Sequence, residues 1–192
     1  PPDDETPAKT AKDHSQPHED GDAPLSGFLA SLGGAAIAEG EDTFTQGDLN
    51  LNIRDNDHVT IARGKVEMTA GATGEGADAD AVTWAEVEGA DFVFMFTVNR
   101  SGSGDDADFD SSTLKLLAID FKHFDRPGGP LVIDRTVDLT GSAPGMSLSG
   151  NLAHVSAFGS MDGEDVFGQG MTTALAGPGF SFVDGFLFGG VA

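Results

Sequence analysis

The chain has 192 residues, with 32 acidic side chains against ten basic ones, a formal net charge of −22 and no cysteine. That balance argues against nucleic acid and an anionic membrane surface as partners, because both are held by clustered lysine and arginine. The missing thiols exclude disulfides and thiolate metal sites.

The length suits one well-buried core, alone or with an arm. Twenty-seven glycines and 14 phenylalanines, with no tyrosine, point to many tight turns. No apolar run approaches the roughly 18 residues of a transmembrane helix. The opening Pro1-Pro2-Asp3-Asp4, without methionine, reads as the mature end of an exported protein whose signal has been removed.

Residues 1–22 hold no large apolar side chain and have the composition of disorder. Between Ala23 and Ala38, the side chains Leu25, Phe28, Leu29 and Leu32 fall at helical spacing. Gly27, Gly33 and Gly34 each weaken a helix there by about 1 kcal/mol relative to alanine. This stretch is therefore either a short helix or an extended apolar arm. Residues 1–38 are expected to form a tail and arm, and residues 39–192 a β-sandwich domain.

Period-two patterns dominate the rest. Leu49, Leu51 and Ile53 share a face; Asp55-Asn56-Asp57 signals a turn, and Val59-Thr60-Ile61 returns as the second arm of a hairpin. Gly64 is expected to mark a bulge. The stretch Ala81 to Arg100 holds the single tryptophan, Trp84, and the run Phe92, Phe94, Phe96. Being apolar on both faces, it is expected at the centre of a sheet, as a hairpin or bulged strand divided at Gly89. Thr113 to Phe124 is a long strand, and Arg126-Pro127-Gly128-Gly129-Pro130 a turn. Leu131, Ile133, Arg135, Val137 and Leu139 then alternate with Asp134, Thr136 and Asp138, the pattern of a half-exposed strand. Met146 to Ala157 and the phenylalanine-rich end, Phe180 to Val191, complete about nine or ten strands. The expected class is all-β, a β-sandwich or jelly-roll-like fold.

Gly40-Glu41-Asp42-Thr43-Phe44-Thr45-Gln46-Gly47 recurs as Gly163-Glu164-Asp165-Val166-Phe167-Gly168-Gln169-Gly170, identical at six of eight positions. Each copy leads into a strand, as a structural repeat would.

Nucleophile and cofactor motifs are missing: the chain has no G-x-S-x-G elbow, no H-E-x-x-H, no P-loop and no dinucleotide fingerprint. The reading is of a protein that is not an enzyme, with an exported hydrolase kept as a third alternative because serine, histidine and aspartate are all present. His14, His18, His123 and His154 make no metal signature. Asp105, Asp106, Asp108 and Asp110 imitate the opening of a calcium loop, with oxygen ligands at alternate positions. The position-12 acid of such a loop would be Leu117, so it is not an EF-hand. Ca²⁺ bound by a sandwich loop and solvated carboxylates both fit.

Gly40 to Ile53, GEDTFTQGDLNLNI, resembles the first core strand of TasA/camelysin-type extracellular fibre subunits. Phe44, Thr45, Gly47, Leu49 and Leu51 meet the Phe-Thr-x-Gly-x-Leu-x-Leu pattern, although the family's Pro-Gly-Asp turn does not follow. The resemblance implies a jelly-roll subunit that polymerises by lending an arm to its neighbour's sheet.

The functional expectation is an exported subunit that assembles with copies of itself into a filament or surface layer, by strand addition. Phe28, Leu29 and Leu32 of the arm, or Phe182, Phe186 and Phe188 of the last strand, would fill the neighbour's pockets. The alternative is a Ca²⁺-dependent ligand- or carbohydrate-binding module using Asp105 to Asp110.

Overall fold

The computed structural model describes residues 27–124 and 127–192. The acidic tail and Arg126 of the expected turn lie outside the described residues. Ten strands follow one another: β1 (Phe28–Glu39), β2 (Asp42–Asp55), β3 (Val59–Thr73), β4 (Asp78–Glu88), β5 (Phe92–Gly104), β6 (Ala107–Phe121), β7 (Leu131–Ser142), β8 (Asn151–Asp162), β9 (Val166–Gly177) and β10 (Phe180–Val191). There is no helix among the described residues. The strands form a β-sandwich, a four-stranded sheet in the order β4-β1-β10-β9 over a six-stranded sheet in the order β7-β5-β6-β3-β2-β8. Neighbours run antiparallel except for β2–β8 and β5–β7.

Small side chains hold the sheets together. Alternate residues of β1 point inward, and Phe28, Ala30, Leu32, Ala36 and Ala38 are buried. The opposing β3 contributes Ala62, Val66, Met68, Ala70 and Ala72. Phe28 is the one phenylalanine of the buried core among the described residues. Gly64 is the clearest fit: a Cβ there would stand 2.1 Å from Leu32 Cδ2. Leu32 of one sheet thus fills a hole at Gly64 in the other. The register runs unbroken through Gly64, paired with Leu51 and with Leu116. The expected bulge is therefore a packing hole instead.

Two other expectations change. Phe28–Glu39 is an extended strand standing between β4 and β10, not a helix and not a free arm. Phe28 and Leu32 fill this molecule's own core, and the division at residue 38 falls inside the sheet. The Ala81–Arg100 stretch is not a central hairpin either. Gly89, at φ +74°, turns the chain from β4 in one sheet to β5 in the other. β4 is an edge strand, and β5 is second from an edge.

The β2–β3 hairpin forms as its sequence predicts. The Asn56 side chain accepts hydrogen bonds from the His58 and Val59 backbone N–H groups at 2.9 and 3.1 Å. The two octapeptide copies also play matching parts: each turn carries the chain from one sheet to the other, from β1 to β2 and from β8 to β9. Each copy has a glycine, Gly47 or Gly170, where a Cβ would strike Val183 or Leu187 at under 3 Å.

At the end of β2, the Asp55 side chain is only 5% exposed and meets the Lys122 ammonium at 2.6 Å. The Thr60 hydroxyl also donates to it. Burial pushes the Asp55 carboxyl up, but the Lys122 and Thr60 hydrogen bonds and the Lys122 charge outweigh this and hold it below its ordinary value.

Gly64→Val should lower stability by about 1–3 kcal/mol in denaturant unfolding, because it overfills the site of Leu32. Lys122→Met should cost about 1–3 kcal/mol near neutral pH by stranding a buried carboxylate. Since the folded-state value of Asp55 is depressed, this contribution is present above its unfolded pKa, about 3.9. It is lost as pH falls through the folded value, so the two proteins should converge in acid.

Candidate functional site

The six-stranded sheet is two strands wider than its partner, so β5 and β7 project beyond β4. The result is an open cleft of about 650 Å³, walled by β4 and floored by the inward faces of β5, β6 and β7. A chain of hydrogen bonds crosses it. The Thr83 hydroxyl meets Ser112 Oγ at 2.7 Å, Ser112 Oγ donates to Asn99 Oδ1 at 2.8 Å, and Asn99 Nδ2 donates to Asp138 Oδ1 at 2.8 Å. Because the Ser112 proton goes to Asn99, the Thr83 hydroxyl is the donor to Ser112. Asp80, Asp110, Asp134 and Asp138 line the same cleft, and no lysine or arginine does.

Of the four aspartates expected to form a calcium loop, two bond to the opposite sheet. Asp105 and Asp106 lie in the turn between β5 and β6, and the Asp106 carbonyl accepts the Gly74 N–H at 2.9 Å. Asp108 and Asp110 lie on β6 and reach across to the other sheet. Their Oδ2 atoms accept the Ala79 and Ala81 backbone N–H groups of β4, each at 2.9 Å. They seal part of a strand edge. Among the described residues no group of three or more His, Asp or Glu is placed to hold a metal ion. His58 and His123 stand edge to face at 6.0 Å.

Burial pushes the Asp110 carboxyl above its ordinary value. The Ala81 N–H opposes this, and the charges of Asp80 and Asp108 add to it.

The remaining features are apolar. On the outer face of the four-stranded sheet, Phe182 sits beside Leu175 and Phe186 beside Met171. The Phe186 and Phe188 rings stack at 6.2 Å. Trp84 crosses β1 at Gly33, where a Cβ would stand 2.6 Å from the indole. Phe182, Phe186 and Phe188 therefore face outward, half-buried, in an internal strand. On the other sheet, Phe92 and Phe94 line up outward with Ile119 and Leu117 of β6 and with Leu131 and Ile133 of β7, and Phe96 stands between Lys115 and Arg135.

The four sheet edges differ. Asp108 and Asp110 guard β4; β7 carries Asp134, Arg135 and Asp138; β8 carries His154 and Asp162. β9 is exposed along almost its whole length, and Val166 to Gly177 contains no charged residue and no proline. Natural edges are usually blunted by such residues. The β9 edge and the cleft were not apparent in the sequence as sites. Asp134, Thr136 and Asp138 showed there only as the wet face of a strand.

Comparison with family models, with curated proteins and with solved structures gives no match. The likeness to fibre subunits rests on Gly40 to Ile53 alone.

Asp110→Asn keeps an oxygen for the Ala81 N–H and removes the charge, whereas Asp110→Ala removes both. A carboxyl with a raised folded-state pKa costs stability above that value, and the cost disappears as pH falls below the unfolded one. Thermal unfolding should therefore rank Asn above wild type at neutral pH, with the gain vanishing in acid. Alanine should rank below Asn at both.

Proposed function

We propose that this chain is a structural subunit of an extracellular or cell-surface assembly, built by pairing with copies of itself. The observation that supports it best is the β9 edge, long, exposed and uncharged in a chain of net charge −22. Unpaired N–H and C=O groups along such an edge offer a ladder to a second strand. Antiparallel pairing of β9 with its counterpart in another copy joins two four-stranded sheets edge to edge. It also makes their aromatic outer faces continuous.

Electrostatics favour this edge over the others. The outward carboxylates of β4, Asp78, Asp80, Glu86 and Glu88, lie three strands away, about 14 Å at 4.8 Å per strand. That exceeds the Debye length of about 8 Å at physiological ionic strength. Asp184 is the one carboxylate on the outer face of β9 and β10.

The mode differs from arm exchange. β1 sits between two partners in its own sheet, so lending Phe28–Glu39 to a neighbour would take out the middle of the sandwich. Edge pairing leaves the fold intact. One two-fold contact yields only a dimer, and a filament needs a second surface that also matches itself. The outward Phe92 and Phe94, with Ile119, Leu117, Leu131 and Ile133 beside them, supply that surface.

Sedimentation of the full chain over a range of concentrations, at low and high salt, tests the proposal. Association should strengthen with salt, as self-repulsion is screened. Met171→Lys with Leu175→Lys, both at exposed positions of β9, should abolish edge pairing without changing the melting temperature. A monomer at every concentration and salt level would refute it, as would association indifferent to the two lysines.

A further inference from the structure

The mismatch between four and six strands leaves room for a missing one. Ala79 and Ala81 direct their N–H groups away from β1, toward Asp108 and Asp110. By strand alternation the N–H and C=O groups of Thr83 and Ala85 point the same way, into the cleft. Among the described residues β4 pairs with β1 alone. Beneath this free edge lie the uncovered inner faces of β5 and β7.

We propose that the cleft receives an extended cationic peptide, which adds to the free edge of β4 as a fifth strand and lies over β5 and β7. The charge of the lining selects the partner, since Asp110, Asp134 and Asp138 face it and Asp80 stands at its rim, with no lysine or arginine among the lining residues. Asp134 and Asp138 are four residues apart on one face of β7, about 13 Å at 3.3 Å per residue. Cationic side chains at positions i and i+4 of an extended ligand have the same spacing. The residue between them, at i+2, falls over Thr97 and Thr136, which also line the cleft. The ligand's other face continues the outer face of the sheet beside Val82 and Trp84, which are 46% and 42% exposed. Alternate positions are therefore apolar. The site is on the opposite edge of its sheet from β9, so it does not depend on self-assembly.

The probe is a capped peptide in which valine alternates with lysine, threonine and lysine, titrated into the full chain. The expected result is saturable binding, weakened roughly tenfold by Asp134→Asn with Asp138→Asn, as two solvent-facing charge pairs allow. Both substitutions lie on the exposed strand β7, and an unchanged melting temperature verifies the fold. Amide exchange at Thr83 and Ala85 should slow in the complex. The proposal fails if no saturable binding occurs, or if the peptide with glutamate in place of lysine binds equally. It fails too if spermidine binds as tightly as the peptide, or if the Thr83 and Ala85 amides exchange at the same rate when peptide is bound.

Discussion

The insertion of Leu32 into the gap at Gly64 stands for the constraint on which the rest of the molecule depends. The inward faces are built largely from alanine, glycine, valine and leucine, so the sheets approach closely and leave little space for rings. Thirteen of the 14 phenylalanines are outside the buried core. Many of them gather instead on the two outer faces. A monomer that keeps small residues within and aromatic ones without leaves apolar area to be covered.

Charge is arranged around that pattern. Carboxylates guard β4 and β7 and line the cleft between them, while β9 itself carries none, the nearest being Glu164 and Asp165 in the turn before it and Asp184 on β10. The same molecule thus has one uncharged edge, the one proposed to pair with a like copy, and, across its sheet, an acidic trough. Such division lets a strongly acidic protein stay dispersed by its charge and still associate along a defined line.

Much of the fold was legible because period-two alternation survives wherever one face is wet. The hairpin about Asn56 is read directly from its residues. β7 is a strand as expected but not a half-exposed one, since it is open on both faces. Its Asp134, Thr136 and Asp138 face turns toward the cleft while Leu131, Val137 and Leu139 stay exposed. β1 was ambiguous because Leu25, Phe28, Leu29 and Leu32 mimic a helix, while the true inward set includes alanines and Gly34, which carry little hydropathic signal. Strand pairing on both sides decides the matter. The phenylalanines of β5 suggested a covered, central strand, since hydropathy cannot tell a buried face from an exposed apolar one. Asp108 and Asp110 looked like ligands because their acceptors' donors, Ala79 and Ala81, are 29 residues away and in the other sheet. The cleft was hidden for the same reason: it arises from the unequal widths of two sheets.

Residue-resolved hydrogen exchange of the full chain, compared between dilute and concentrated solution, tests most directly whether β9 is an edge that a second copy completes. The account predicts that the outward amides of Val166 to Gly177 exchange freely when dilute and become slow when concentrated, while those of β7 stay unchanged. Exchange along β9 that is the same at every concentration would contradict it.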